Sequence, residues 1–246
     1  MPLAQPIVDF LVAWESLGRR CDRHPWGTVT ADGRFPNVRD ANRALIAGAV
    51  TPSFETVRAA LEDARRESGV SFDQVELVDV EAHAPLYSEL VAQHGAPERF
   101  ALMVAEGGDI AEQATEAIRV DERGVPAPEL WRELKAATHA DEEPLPDGVA
   151  EQLCDRDDVV FFPAGKRLFV GERLGEAAGI ATYSALRSVG LVDDVSTVPR
   201  HRRQGVAAAL MRHIARVSRD AGDVAVFLFA AEDGDPQRLY GRLGFR

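Results

Sequence analysis

The stretch of sequence that decides the fold spans residues 195–208 and reads Val195-Ser196-Thr197-Val198-Pro199-Arg200-His201-Arg202-Arg203-Gln204-Gly205-Val206-Ala207-Ala208. Its beginning is strand-like and ends at Pro199, because proline cannot donate to a strand ladder. A turn rich in arginine follows. From Arg202 to Ala221 apolar residues recur at the spacing of a helix. The stretch therefore predicts a strand, a basic turn and a long helix in direct succession.

The turn has the chemistry of an anion site. The first N–H groups of a helix lack partners within it, and the helix dipole adds partial positive charge at the same end. Gly205 has no Cβ, so a ligand can approach the backbone closely, and Ala207 is small for the same reason. Arg202 and Arg203 can add charge-assisted hydrogen bonds. We therefore expect this turn to bind a pyrophosphate.

A second motif lies one helix and one strand further along the chain. It reads Leu239-Tyr240-Gly241-Arg242-Leu243-Gly244-Phe245 and follows the apolar strand Val224–Ala230. Together with the pattern Arg202-x-x-Gly205-x-Ala207, it resembles the GNAT (GCN5-related) acetyltransferase family, and the resemblance runs from about Ala117 to Phe245. The resemblance implies an α/β fold with a mixed, mostly antiparallel sheet whose central pair of parallel strands splays apart.

The resemblance also implies a site for acetyl-CoA as co-substrate. The splayed strands would be Gly190–Val198 and Val224–Ala230, with the pantetheine arm bound by the main chain of Val195, Ser196 and Thr197. The pyrophosphate would be held by the turn residues Arg202, Arg203, Gln204, Gly205, Val206, Ala207 and Ala208. The implied reaction is direct transfer of the acetyl group to a primary amine of a small molecule or peptide, without a metal.

Two proton transfers accompany this reaction, because the amine loses a proton and the CoA thiolate gains one. Tyr240 matches the family's tyrosine acid. The sequence does not decide which group accepts the proton of the amine. Two carboxylates lie on the strand before the turn, two side chains lie on the preceding hairpin, and the base can also act through water. The four side chains are Asp193, Asp194, Glu176 and Tyr183.

The sequence departs from the family pattern at two points. The position where the family often has a cofactor-contacting Asn is Asp233 here. The sequence also stops at Arg246, where family members usually continue into another strand beside the splayed pair, so either the chain is cut short or another segment fills that edge. These departures motivate an alternative function, a non-catalytic acyl-CoA-binding regulator or an inactive paralogue.

The N-terminal half repeats the same order of elements. Residues 43–105 are predicted to run strand, helix, strand, helix, strand, but the helix that begins at Ser53 lacks the arginines and the glycine of the turn. We expect residues 1–112 to form a degenerate GNAT-like domain or another α/β domain, and residues 113–246 to form the GNAT domain. The polar stretch Gly107-Gly108-Asp109 is the expected boundary.

Composition limits the partners. The chain has 246 residues and a formal net charge of −12, from 28 basic and 40 acidic residues, so nucleic acid is not expected. No apolar run approaches the roughly 18 residues of a membrane span, so no membrane partner is expected either. Residues 1–113 hold 10 arginines and 18 acidic residues, a net charge of −8 that favours a cationic amine. Only Lys135 and Lys166 are lysines.

The cysteines indicate the compartment. Cys21 and Cys154 cannot form a disulfide framework, and the first residues lack the features of a secretion signal, so we expect a cytoplasmic protein. Cys21 and His24 have the residue types of metal ligands, but no second pair follows at zinc spacing, so no metal is expected. We expect a monomer or a homodimer.

Overall fold

The computed structural model describes residues 4–106, 109–110, 117–125, 128–140, 145–146 and 148–246. Within them the helices, numbered in chain order, are α1 Ala4–Glu15, α2 Phe54–Ser68, α3 Ala84–His94, α4 Pro128–Thr138, α5 Val149–Arg156, α6 Val206–Ala221 and α7 Asp235–Leu243. The strands are β1 Cys21–His24, β2 Gly27–Ala31, β3 Asn42–Ile46, β4 Gln74–Leu77, β5 Phe100–Glu106, β6 Arg119–Arg123, β7 Arg167–Arg173, β8 Glu176–Leu186, β9 Val189–Thr197 and β10 Ala225–Ala231.

The chain divides into two compact units. The N-terminal unit comprises Met1–Glu98 and Asp147–Leu153, and the C-terminal unit comprises Arg99–Pro146 and Cys154–Arg246. None of the helices in the described ranges is long and apolar enough to cross a membrane.

The N-terminal unit is built on a four-stranded sheet in the order β1-β2-β3-β4. The first three strands are antiparallel, and β3 and β4 are parallel, because α2 carries the chain back across the sheet between them. As the sequence predicts, Ser53 caps α2, and the apolar stripe Val57, Leu61 and Ala64 is buried against the sheet. Burial of that stripe holds α2 on the sheet.

The C-terminal unit contains a six-stranded sheet in the order β5-β10-β9-β8-β7-β6. All neighbours are antiparallel except β9 and β10, which are parallel because α6 connects them. The expectation of a mixed, mostly antiparallel sheet with one central parallel pair is confirmed. The apolar face of α6 packs on the sheet through Val206, Leu210 and Ile214, which are all buried.

The strand β5 joins the C-terminal sheet rather than the N-terminal one. It pairs antiparallel with β10 along its whole length, from Phe100 to Glu106. Its side chains Met103 and Ala105 are buried in the core of the C-terminal unit, so its hydrogen bonds and its apolar contacts are both made there. We expected the division of the chain at residue 112, but the two units divide between Glu98 and Arg99, before this strand.

This strand also occupies the sheet edge where family members usually have a further strand. The sequence alone left open whether the chain is cut short there or another segment fills the edge. The edge of β10 that would otherwise be open is covered by β5. On its far side, β5 exchanges two backbone hydrogen bonds with Arg246, through the N–H and the C=O of Val104. A segment from before the family motif therefore fills the edge. Residues 107 and 108 of the expected boundary lie outside the described residues.

The long helix begins later than the apolar pattern suggests. We predicted a helix over 202–221, and α6 begins at Val206. Arg203 and Gly205 have left-handed backbone angles, with φ of 62° and 85°, which a right-handed helix does not contain. The residues before Val206 therefore form the turn, and the helix starts at the position that points its first N–H groups into it.

Candidate active site

The parallel strands β9 and β10 diverge. They pair only from Val189 to Leu191 on β9 and from Ala225 to Phe227 on β10. Beyond these residues a cavity of about 270 Å³ separates them, walled by residues 192–196 of one strand and 228–231 of the other. Four further side chains complete the wall: Lys135, His139, Pro236 and Tyr240. Backbone groups that face this cavity are available to a ligand instead of a neighbouring strand.

A bulge in β9 accompanies the divergence. Thr182 of β8 pairs with Asp193, whereas Ile180 pairs with Ser196, so β9 has one residue more than β8 over this interval. Asp194 lies in the bulge and has a φ of 52°. A bulge of this kind bends the strand that carries the extra residue. It therefore marks the place where β9 leaves the direction of β10.

The predicted pantetheine contacts lie at or next to this cavity. Val195 and Ser196 are part of its wall. Thr197 is paired with Gly179 on β8 and is not part of the wall. Two of the three predicted positions are therefore brought to the cavity, and the third follows directly after them.

The basic turn has the backbone shape that the sequence motif predicts. Gly205 precedes the helix with a φ of 85°, and its carbonyl accepts the hydrogen bond of Ala209 N–H. Val206, Ala207 and Ala208 are the first three residues of α6, whose N–H groups have no carbonyl one turn earlier within the helix. The turn thus presents a run of backbone donors at the positive end of a four-turn helix.

The polar side chains of the turn differ in their roles. Arg202 donates from Nε to the Thr197 carbonyl at 3.2 Å and from Nη2 to the Thr138 carbonyl at 3.3 Å, so it links the turn to β9 and α4. Gln204 donates to the Arg200 carbonyl at 2.9 Å. The Arg203 side chain is 82% exposed and therefore the more accessible guanidinium for a phosphate.

Tyr240 is the predicted acid, and it lies in the cavity wall. The residue is only 6% exposed, and its hydroxyl makes no hydrogen bond to the described part of the chain. Burial, helped by the negative charge of Asp193, raises the pKa of Tyr240 to about 12. The hydroxyl therefore keeps its proton at neutral pH and can donate it to a developing thiolate.

The two adjacent carboxylates of β9 have opposite character. Asp193 opens into the cavity, and burial together with the charge of Asp194 raises its pKa. Desolvation acts on the partly exposed Asp194 as well, but Lys135 and Lys166 outweigh that effect and hold its pKa well below the usual range. A carboxylate with a raised pKa is the better proton acceptor. Asp193 is therefore the stronger candidate base of the two.

The other base candidates lie elsewhere. Glu176 is exposed and forms an ion pair with Arg200 at 2.9 Å. Tyr183 is buried and donates its hydroxyl hydrogen bond to Asp223. Neither residue belongs to the cavity wall, and neither does Asp233.

Sequence reasoning missed two side chains of the wall. Lys135 lies on α4, and His139 follows directly after that helix, with Nε2 at 3.5 Å from Ser196 Oγ. The amphipathic pattern of α4 predicts a buried face but not which strand it covers. The rarity of lysine in this sequence was the one available signal for Lys135.

In the N-terminal unit, the parallel strands β3 and β4 and the start of α2 differ from β9, β10 and the start of α6. Strands β3 and β4 are paired from Arg43 to Ile46 without divergence. At the start of α2, the Ser53 hydroxyl accepts the Thr56 N–H, so the helix provides its own cap. The described part of this unit therefore shows neither the open strand pair nor the open helix start of the C-terminal unit.

Gly179 gives a test of the packing behind the cavity. A Cβ there would lie 2.7 Å from the Ser196 carbonyl oxygen and 2.7 Å from Val206 Cγ1. We expect Gly179→Ala to lower the free energy of unfolding by about 1–3 kcal/mol, because β9 and the start of α6 must both move away from β8. Urea unfolding measures this. Gly124→Ala is the control, since a Cβ there meets nothing within 4 Å. Equal stability of the two variants would contradict this packing.

Comparison with known proteins identifies the C-terminal part of the chain. The sequence model of the acetyltransferase (GNAT) family matches residues 128–245. No curated protein sequence gives a significant match.

Solved structures share the fold over most of the chain. A GCN5-related N-acetyltransferase from Kribbella flavida has a TM-score of 0.67 at 19% identity, covering 99% of this chain and 91% of that one. A functionally unknown conserved protein from Staphylococcus epidermidis has a TM-score of 0.68 at 13% identity, with 93% and 90% covered. A GCN5-related N-acetyltransferase from Sphaerobacter thermophilus has a TM-score of 0.54 at 18% identity, with 78% and 62% covered.

These identities establish fold rather than substrate. The Kribbella likeness extends over nearly the whole chain, so the N-terminal unit is GNAT-like in structure as well. The family match, the diverging parallel strands and the open start of α6 all concern the same part of the sequence. The chain therefore carries, over residues 128–245, a domain of the GNAT acetyltransferase family.

Proposed function

We propose that the C-terminal unit binds acetyl-CoA and transfers its acetyl group directly to a primary amine of a small molecule or peptide. The observation that carries this proposal is the divergence of β9 and β10 beside the open start of α6. A cofactor with a pyrophosphate and an extended amide arm fits both features, because the first needs N–H donors and the second needs strand-like partners.

In this proposal the backbone binds most of the cofactor. The N–H groups of Val206, Ala207 and Ala208 hold the pyrophosphate, and the exposed Arg203 adds a charge-assisted contact. The pantetheine arm lies against Val195 and Ser196, where β9 has left β10. The thioester then reaches the part of the cavity that Asp193 and Tyr240 wall.

The chemistry follows from the protonation states there. The amine nitrogen attacks the thioester carbonyl carbon, a C–N bond forms, and the C–S bond breaks. The ammonium proton leaves to Asp193, directly or through water, and Tyr240 donates its proton to the departing CoA sulfur. Tyr240 starts in the required state, because its raised pKa of about 12 keeps the hydroxyl protonated at neutral pH. Asp193 and Asp194 both belong to the cavity wall, and Asp193 is the more exposed of the two.

The charge of the protein favours a cationic acceptor. The chain carries a net charge of −12, and the Asp193 carboxylate opens into the proposed transfer cavity. An amine that is protonated in solution is attracted to such a wall. It releases one proton to solvent before it attacks, and the proton that leaves its nitrogen after the attack goes to Asp193. Polyamines, aminoglycosides and peptides with a free amino group are therefore the first acceptors to test.

The N-terminal unit has a separate role in this proposal. Its paired β3 and β4 and its self-capped α2 favour a degenerate GNAT-like domain that does not bind acyl-CoA. We expect one CoA per chain in a calorimetric titration. Two equivalent sites would contradict this assignment of the N-terminal unit.

The test of the function is release of free thiol from acetyl-CoA. We expect thiol release to depend on an added amine, and mass spectrometry to find the acceptor heavier by one acetyl group. The alternative function is a non-catalytic regulator that binds acyl-CoA. Tight binding of CoA without turnover on any amine of the panel would favour that alternative and would contradict acetyl transfer.

A further inference from the structure

Both lysines of this protein bind the same carboxylate. Lys135 of α4 contacts Asp194 Oδ1, and Lys166 Nζ lies 2.8 Å from Asp194 Oδ2. Thr182 also donates to Asp194 Oδ2, at 3.0 Å. Elsewhere the positive side chains are arginines and histidines, so the two ammonium groups of the whole sequence meet at one residue of β9.

The cluster begins in the cavity wall with Lys135 and Asp194 and continues behind that wall to the buried Lys166. The Lys166 side chain is 5% exposed and also forms an ion pair with Asp157 at 2.7 Å. The ring of Trp131, which is fully buried, lies 5.1 Å from the ammonium nitrogen of Lys135 and 5.9 Å from that of Lys166. The ring of Phe161 lies 5.6 Å from the Lys166 nitrogen. Three ion pairs and two aromatic rings therefore restrain the two lysines.

A buried ion cluster of this kind is not explained by stability alone. Desolvation of two ammonium groups costs about as much as their attraction to carboxylates returns, and apolar replacements are often equally stable. The position of the cluster, at the bulge of β9 beside the cavity, points to a role in the site. Asp194 is the bulge residue with a φ of 52°, a strained conformation for a residue with a Cβ, and the neighbouring Asp193 opens into the cavity.

We propose that Lys135 and Lys166 are positioning residues for acetyl transfer. They hold the Asp194 carboxylate, and with it the bulge that directs Asp193 and the backbone of Val195 and Ser196 into the cavity. Neither lysine need touch the substrate for this role. The inference rests on the proposed function of the cavity, and it adds residues outside the motif at 195–208.

The same cluster sets the charge around Asp193. On its own strand Asp193 faces the negative charge of Asp194, and the lysines Lys135 and Lys166 oppose that charge from α4 and from the turn before β7. Beyond them, His139 and Tyr240 also line the cavity, and burial raises the pKa of the nearby Asp157 to about 6. Loss of a lysine charge therefore raises the pKa of Asp193, and loss of the Asp194 charge lowers it.

The experiment compares the pH dependence of kcat in two variants with opposite changes of charge. In Lys135→Met the acidic limb of the profile moves to higher pH, and kcat at neutral pH falls by about 10-fold with partial recovery at alkaline pH. In Asp194→Asn the limb moves to lower pH. Lys135→Arg keeps the charge and restores the wild-type limb. A loss of folded protein would reduce the rate without moving the limb.

Arg167→Met is the matched control. It also removes a positive charge from the C-terminal unit, because Arg167 pairs with Glu122 at 2.6 Å, but neither residue lines the cavity. We expect its limb to stay in place. If Asp194→Asn fails to fold, the comparison of Lys135→Met with Arg167→Met decides. Limbs that do not move, or that move in the same direction in both test variants, would overturn the inference.

A second readout separates this inference from the proposed function. The carboxyl signal of Asp193 can be titrated by ¹³C NMR and assigned by its loss in Asp193→Asn. If the wild type turns over no amine, the proposed function fails, while the titration still shows whether Lys135→Met and Asp194→Asn shift Asp193 in opposite directions. If the wild type turns over and the signal does not shift, the inference alone fails.

Discussion

Replacement of Gly205 by alanine is expected to weaken CoA binding by roughly 30- to 100-fold, or about 2–3 kcal/mol. Gly205 has a φ of 85° directly before α6. A Cβ there hinders the approach of a pyrophosphate to the first N–H groups of the helix. Loss of one or two hydrogen bonds to a charged group accounts for this size, at about 1.5–3 kcal/mol each. Isothermal titration with CoA measures the effect.

Gly222→Ala separates binding from backbone strain. Gly222 ends the same helix with a φ of 87°, and a Cβ there meets nothing within 4 Å. Both variants carry the cost of an L-residue in the left-handed region, about 1–2 kcal/mol, which lowers stability. Only Gly205→Ala should lose affinity. Equal affinity for CoA in the two variants would show that the pyrophosphate is bound elsewhere.

Removal of the Tyr240 hydroxyl is expected to lower kcat by about 100-fold or more, with little change in the KM for acetyl-CoA. In Tyr240→Phe the ring still fills the buried position against Phe245, but the proton for the CoA sulfur is missing. The ratio of wild-type to variant kcat should stay constant between pH 7 and pH 9, because the pKa of this hydroxyl is raised to about 12 and the wild-type group stays protonated over that range. Steady-state thiol release across pH measures both effects.

Tyr183→Phe is the control for this prediction. It removes a hydroxyl from the same sheet, but that hydroxyl donates to Asp223 and lies outside the cavity wall. We expect it to lower stability by about 1 kcal/mol through the lost hydrogen bond and to leave kcat near the wild-type value. An unchanged kcat in Tyr240→Phe would remove Tyr240 from the mechanism.

The local parts of this site can be predicted from the sequence. Pro199 ends a strand, Gly205 permits a left-handed turn, and the apolar spacing that follows defines α6. The strand end, the turn and the helix each depend on residues that are neighbours in the sequence, so a short stretch is enough to predict them. The position of Tyr240 after β10 follows from the same kind of pattern and from the family resemblance.

The long-range parts cannot be predicted in this way. Nothing within Phe100–Glu106 tells which of two sheets will accept it, because the backbone N–H and C=O groups of a strand can pair with any available sheet edge. Alternation likewise predicts that only one of Asp193 and Asp194 faces the cavity, but the bulge brings both into the wall, and the two lysines bind Asp194 alone. Those lysines are 59 and 28 residues away from Asp194 in the chain, so only the fold brings them to it.

The central claim is that CoA replaces a strand partner between β9 and β10. A crystal structure of the protein with bound CoA tests it most directly. The account predicts the pantetheine arm between residues 192–196 and 228–231, the pyrophosphate within hydrogen-bonding distance of the N–H groups of Val206–Ala208, and the sulfur beside the Tyr240 hydroxyl. CoA bound at another place, or β9 and β10 joined by an ordinary ladder along their full length, would contradict it.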